Sequence, residues 1–206
     1  MTSVSGLLIA FEGGEGTGKS TQAARLAERL GATLTREPGG TAIGGRIRAL
    51  VLDPANEELA DRAEALLMAA DRAQHVAEVI RPVLDAGGTV VTDRFAGSSL
   101  AYQSYGRGLP LDEIERISRW ATDGVWPDVV VLLEVPDAVA QVRLGDERDR
   151  MEGAGDGFHQ RVADGFRALA AADPDRWLVL DGTGTIDEVA DRVWAAVAPR
   201  LEAEAR

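Results

Sequence analysis

Residues 7–20 read LLIAFEGGEGTGKS, and the fold follows from this stretch. Residues 7–11 are a short, almost unbroken apolar run, the pattern of a strand buried on both faces of a parallel sheet. Gly13-Gly14-Glu15-Gly16-Thr17-Gly18-Lys19-Ser20 then fits G-x-x-x-x-G-K-[ST], and residues 20–30 carry amphipathic helical periodicity. In that strand–loop–helix order, glycines let backbone N–H groups curl round a β-phosphate while the helix N-terminus adds partial positive charge. Lys19 would bridge the β- and γ-phosphates, and the Ser20 hydroxyl would ligate Mg²⁺. A glycine-rich turn matching by chance is the bland alternative. One count speaks against it: of 22 basic residues all but Lys19 are Arg. A chain that uses guanidinium everywhere else has kept one compact ammonium on a flexible stem at this position.

Outward from the loop, apolar runs recur at 89–92 (TVVT), 129–135 (VVVLLEV) and 177–180 (WLVL), with a weaker one at 32–35. Helical patterns lie between and around them at 42–52, 61–85, 111–122, 137–145, 157–172 and 186–203. Strands alternating with helices predict an α/β fold, a central five-stranded parallel sheet flanked by helices. No internal repeat or Pro/Ser-rich linker divides the chain, so residues 1–206 are expected to form one domain. Residues 145–157 (GDERDRMEGAGDG) are polar and Gly-rich, either a surface loop or a flexible lid.

Composition narrows the function classes. The 206 residues are 45% hydrophobic and 27% charged, an ordinary globular mix that excludes wholesale disorder. The longest stretch without a charged residue runs from Phe95 to Gly106, far short of the ~18 residues of a membrane span. The N-terminus has no basic n-region, and the absence of Cys excludes disulfides, thiolate metal sites and a cysteine nucleophile. Cytoplasmic residence is the expectation. The net charge of −12 disfavours a nucleic acid polymer or an anionic membrane as partner, but clustered Arg can reverse the field inside one cleft.

The phosphate loop does not fix the reaction. A GTPase base-reading Asn-Lys-x-Asp segment cannot exist where Lys19 is the only lysine. The strand at 89–92 runs on into Asp93-Arg94-Phe95. Asp93, at the strand edge where ligands bind in open α/β sheets, is placed to hold Mg²⁺ or its water, with the Arg94 guanidinium beside it. A strand-end ion pair is the alternative.

Taken in order, Phe11-Glu12 with the loop through Thr21, Thr35-Arg36-Glu37-Pro38-Gly39-Gly40-Thr41, Asp93-Arg94-Phe95, Ser98-Ser99-Leu100-Ala101-Tyr102-Gln103 and Gly106-Arg107-Gly108 closely resemble bacterial thymidylate kinase. The resemblance continues through Asp149-Arg150-Met151-Glu152 to Asp181-Gly182-Thr183 and covers almost the whole chain. It implies the three-layer fold of the P-loop nucleoside monophosphate kinases and transfer of the γ-phosphoryl of ATP to dTMP, with Mg²⁺, in a homodimer. Such an acceptor is already ionised, so the chemistry calls for charge neutralisation rather than a general base.

By the same resemblance Gly13 to Thr21 bind ATP, with Arg143 on adenine and Thr183 beneath it. Arg36 and Arg94 hold the dTMP phosphate, Pro38 lies in the same acceptor segment, and Glu15 accepts from the sugar 3′-hydroxyl. Met68, where the family carries an aromatic, covers the base, and Arg72 bonds its carbonyl. Ser99 and Gln103, with Ser98 beside them, face the pyrimidine edge, and Tyr102 crowds the 2′ position. Glu12 orients metal-bound water or a neighbouring Arg. Arg148 and Arg150 swing in on the γ-phosphate, because the variable loop positions Gly14 to Thr17 supply no cation. Each has a plainer reading: Met68 as core, Arg72 paired with Asp71 or Glu64, Tyr102 as packing, Glu15 as a solvated side chain. Two other functions remain open at this point: a deoxynucleoside kinase, which needs a carboxylate base, and a nucleotide-gated binding module without transfer.

Overall fold

The computed structural model describes residues 6–144, 149–151 and 153–204. In chain order they form β1 (Leu7–Glu12), α1 (Lys19–Leu30), β2 (Thr33–Arg36), α2 (Ala42–Leu52), α3 (Asp61–His75), α4 (Arg81–Asp85) and β3 (Thr89–Asp93). There follow α5 (Ala96–Ser99), α6 (Leu111–Ala121), β4 (Val129–Glu134), α7 (Asp137–Arg143), α8 (Asp156–Ala172), β5 (Trp177–Asp181) and α9 (Ile186–Glu204). The five strands make one parallel sheet in the order β2-β3-β1-β4-β5.

The continuous apolar runs are what a sheet covered on both faces requires. Leu8, Ile9, Ala10 and Phe11 of β1 are fully buried and alternate between faces. Ile9 and Phe11 pack with Ala23, Leu26, Val193 and Val197 from α1 and α9. Leu8 and Ala10 pack with Val76, Ile80, Phe95 and Ala96 on the other side. Three layers result. The chain leaves β1 toward β2 and β3 on one side and toward β4 and β5 on the other, so the crevice beyond the C-terminal end of β1 is the topological switch point.

The stretch read as one helix over 61–85 is helical throughout but changes register. The turn Val76–Ile80 between α3 and α4 is π-helical and ends two residues before Pro82, which has no N–H to give an α-helical ladder. Residues 96–106, to which the sequence reading assigns no element, are α5 followed by a second π-helical turn, Leu100–Gly106. There the Arg107 amide donates to the Tyr102 carbonyl at 2.9 Å, the five-residue step of a π-helix.

Candidate active site

β1 ends in the phosphate loop, and the loop is shaped by close approach. Gly13 has φ +138°, and a Cβ there would lie 2.4 Å from the Leu133 carbonyl oxygen, so only glycine lets the chain turn beside β4. Gly18 precedes α1 and offers no side-chain acceptor to its first amides, whereas Thr41 Oγ1 caps α2 by accepting from Gly44 N–H at 2.9 Å. The exposed amide dipoles of α1 are thus left to an anion. Lys19, 5% exposed, bends back so that Nζ donates to the Gly14 carbonyl at 2.5 Å. Burial, and then the Arg94 cation, push its pKa down to about 8, against the pull of Glu15, Asp93 and Glu12. An ammonium held in such surroundings gains from a polyphosphate.

β3 lies next to β1, with Phe11 opposite Asp93, which brings the strand edge and the loop together. Ser20 donates its hydroxyl to Asp93 Oδ2, while Asp93 Oδ1 is buried with no hydrogen-bond partner. A hydroxyl and a carboxylate oxygen with unused acceptor capacity fit Mg²⁺, which takes few protein ligands and completes its shell with water and phosphate. Glu12 lies beneath, fully buried: Oε1 accepts from the amides of Phe95 and Ser98, each at 3.0 Å, and Oε2 from the Ser98 hydroxyl at 2.6 Å. Burial raises its pKa to about 7 despite these bonds.

Arg94 adopts φ +70°, uncommon for a residue with a Cβ, and is held there by its amide bond to the Phe11 carbonyl at 2.9 Å. Its guanidinium donates to the Gly13 carbonyl (3.0 Å), Ser98 Oγ (2.9 Å) and Tyr102 Oη (3.2 Å), and pairs with Glu15. Burial works against the Glu15 carboxylate, but Arg94 and Lys19 outweigh it and hold its pKa down at about 2. Glu15 is partly exposed, but it turns toward Arg94 and Tyr102 rather than away from the site. It neutralises Arg94 and ties it to Tyr102, whose ring is wedged edge-on against Phe158 and Phe166.

A cavity of about 190 Å³ opens beside this cluster. Every expected acceptor residue lines it: Glu15, Arg36, Pro38, Met68, Arg72, Arg94, Ser98, Ser99, Tyr102 and Gln103. Lys19, Ser20 and Asp93 border the same space, so acceptor and triphosphate would meet there. Met68 is half-buried on the wall rather than in the core. Arg72 is buried and bonded to Glu37 at 2.8 Å, not to Asp71 or Glu64, and also reaches the Phe95 carbonyl (3.1 Å) and Ser99 Oγ (3.0 Å).

On the other flank, Arg143 Nη1 donates to the Gly182 carbonyl at 3.1 Å, tying α7 to the turn after β5. The same nitrogen lies near the Gly16 and Thr17 carbonyls, and Thr183 in that turn bonds Asp181 at 2.8 Å. Arg143 and Thr183 are thereby brought against the phosphate loop. Arg148 falls outside the described residues, as do 145–147 and 152 of the expected lid. Arg150 is not brought to the loop: it is paired with Glu64 and donates to the Val51 carbonyl at 2.8 Å.

The sequence reading missed several cavity residues. Arg48, on α2, donates to the Pro38 carbonyl at 3.0 Å; burial, and then the nearby Arg36 cation, depress its pKa. Its position on an otherwise unremarked helix gave no signal. Glu37, next to Arg36, has no role assigned from the sequence. It joins Arg72 to His75, a fully buried ring that also meets Thr35 Oγ1 at 2.6 Å. His75 braces the segment from Thr35 to Glu37 against α3.

With its phosphate loop at the switch point, a serine–aspartate pair suited to Mg²⁺ and an adjoining cavity lined by arginines, the fold has the make-up of a phosphotransferase of the P-loop nucleoside monophosphate kinase class. Comparison with known proteins narrows this further. The family model described as thymidylate kinase matches residues 11–193. The thymidylate kinase of Bifidobacterium longum strain NCC 2705 is 49% identical over 202 residues, covering 94% of this chain and 96% of that protein. That of Deinococcus radiodurans is 50% identical over 202 residues, covering 95% and 98%. The crystal structure of thymidylate kinase from Ehrlichia chaffeensis superposes with a TM-score of 0.79 at 31% identity, covering 94% of this chain and 99% of that one. The chain belongs to the thymidylate kinase family and is an ATP-dependent kinase.

Proposed function

We propose that the chain transfers the γ-phosphoryl group of ATP to dTMP, giving dTDP and ADP. A dTMP phosphate oxygen attacks the γ-phosphorus in line while its bond to the β–γ bridging oxygen breaks. Because the attacking oxygen is already ionised, no base is needed; the similarity to thymidylate kinases over almost the whole chain favours this acceptor over a nucleoside or a binding role without transfer. The observation that carries the proposal is the convergence of Arg36, Arg48, Arg72, Arg94 and Lys19 on one small cavity. Arg72 and Arg94 already pair with Glu37 and Glu15, so the cations a phosphate ester would answer are Arg36, Arg48 and Lys19, for which a neutral nucleoside brings no anion.

In this reading residues 13–21 hold the polyphosphate, and Arg143 with Thr183 flank the adenine. Arg36 and Arg94 hold the acceptor phosphate, with Pro38 shaping the loop between Arg36 and Arg48. Glu15 and Tyr102 bracket the sugar, and Met68, Arg72, Ser99 and Gln103 face the base. Ser20 and Asp93 would hold Mg²⁺, with Glu12 orienting the Asp93–Ser98 edge from below. When bound, that ion draws charge from the β- and γ-oxygens. Arg148 supplies the cation that the loop's own Gly14 to Thr17 do not. The whole chain is read as one domain acting in the cytoplasm as a homodimer, without nucleic acid or membrane partners. Among the described residues no helix is long and apolar enough to cross a membrane, and Trp120, 84% exposed, offers apolar surface for a second copy.

The test is ADP release with ATP and each nucleoside monophosphate in turn, with thymidine as control. The expected result is turnover with dTMP and none with thymidine; turnover with thymidine alone would reverse the assignment.

A further inference from the structure

Glu64 on α3 is fully buried yet carries two guanidinium partners. Arg107 donates to it at 3.0 Å, Arg150 pairs with it, and Gln103 Nε2 donates to Oε1 at 3.0 Å. These bonds outweigh the effect of burial and hold its carboxyl below the usual range. Breaking such a pair strands a charge in the interior, which is strongly unfavourable. Arg150 is fastened further by its backbone: its amide donates to the Leu52 carbonyl at 3.0 Å and its Nε to the Val51 carbonyl at 2.8 Å.

What these fastenings hold is the acceptor cavity. Asp149 and Met151, on either side of Arg150, both line it, as do Leu52 at the end of α2 and Gln103. The Met151 amide donates to Asp149 Oδ1 at 2.8 Å, and Met151 is itself 5% exposed, packed with Tyr102 and Phe158. One buried carboxylate therefore joins α3, the π-helical turn and the 149–151 segment around a common space.

We propose that Arg150 and Glu64 are positioning residues for the acceptor: their buried pairing fixes Asp149 and Met151 as a wall of the dTMP cavity, and Arg150 does not reach the transferred phosphoryl. This reassigns Arg150 from the role its resemblance implied. It rests on the reading of the cavity as the dTMP site. The physical ground is that Arg150 spends its guanidinium on Glu64 and Val51, and withdrawing it to meet a γ-phosphate would strip the wall from the acceptor.

The two roles separate in the binary complex, where no γ-phosphate is present. Calorimetric titration of dTMP in the absence of ATP, on wild type, R150M, R150K and E64Q, reads the difference directly. R150M and E64Q are expected to bind dTMP about tenfold more weakly or worse, a loss of ~1.4 kcal/mol. R150K, which keeps a cation beside Glu64 but cannot bond it and Val51 together, should fall between. With ATP present the loss should be carried by KM for dTMP rather than by kcat, with KM for ATP unmoved. Unchanged binary affinity with kcat reduced a hundredfold or so would overturn the inference and restore Arg150 as a phosphate-contacting group. If R150M does not fold, R150K and E64Q give the same reading. A wild type that fails to bind dTMP defeats the proposed function itself; a wild type that binds, with variants equal to it, defeats only this inference.

Discussion

Replacing Lys19 by Arg separates charge from shape at the phosphate loop. Lys19 is buried, bonded to the Gly14 carbonyl at 2.5 Å and near Thr17 Oγ1 at 3.4 Å, with its pKa lowered to about 8. Only the ammonium attracts a triphosphate, and a bound polyanion restores the higher pKa. In the free protein the protonated fraction falls from about 0.9 near pH 7 to about 0.1 near pH 9, so ATP affinity should drop roughly tenfold across that interval. Glu12, with a pKa of about 7, ionises early in the same range and adds its own repulsion of the polyanion, in wild type and K19R alike. In K19R the charge persists at every accessible pH, so the part of the decline centred near pH 8 should vanish. The planar fork cannot enter the space between Gly14 and Thr17, and turnover should collapse by about two to three orders of magnitude. Calorimetric ATP binding from about pH 6.5 to 9.5 on both proteins checks this, and the γ-phosphate's own titration cancels in the comparison. A flat wild-type profile, or the same fall in K19R, would refute the reasoning.

Other perturbations follow from the same geometry. Glu12 is neutral below about pH 4.5 in either state, but above it the folded protein resists ionisation, so its contribution to stability worsens up to about pH 7. E12Q removes a penalty of the order of 3 kcal/mol, should raise the melting temperature at pH 8, and should show no gain near pH 4; a lower melting point at pH 8 would contradict this. A Cβ on Gly97 would lie 2.7 Å from Glu12 Oε1, so G97A should destabilise by about 1–3 kcal/mol, seen as a melting point lower by several degrees. Met68→Phe should preserve or tighten dTMP binding, measured by titration, since Met68 lies on the cavity wall; a strong loss would mark it as core. Asp93→Asn should raise the Mg²⁺ concentration needed for half-maximal ADP release, and an unchanged Mg²⁺ titration would remove Asp93 from the ion.

The sheet was legible because its signal is local. Five apolar runs became five strands, and helix 42–52 emerged with those bounds. The phosphate loop and the Asp93-Arg94 edge were legible for the same reason. The two π-helical turns were not, since they arise from register shifts rather than from an apolar period; the second presents Tyr102 and Gln103 to the cavity. Long-range polar pairing was equally opaque. Arg72 and Glu37 are far apart in sequence, and neighbours such as Asp71 looked the better partners until the fold set α3 against the acceptor loop. Arg150 carries the same lesson: a motif supplies a guanidinium, but only packing shows that Glu64 has claimed it.

The mutual repulsion of Arg36 and Arg48 has a pharmacological consequence. A thymidine mimic with an uncharged group in place of the 5′-phosphate would leave Arg36 and Arg48 facing each other without an anion to relieve their repulsion. Medicinal chemistry against this pocket should therefore begin from compounds bearing a fixed anion at that end, with the base portion optimised for a thioether rather than an aromatic stacking surface.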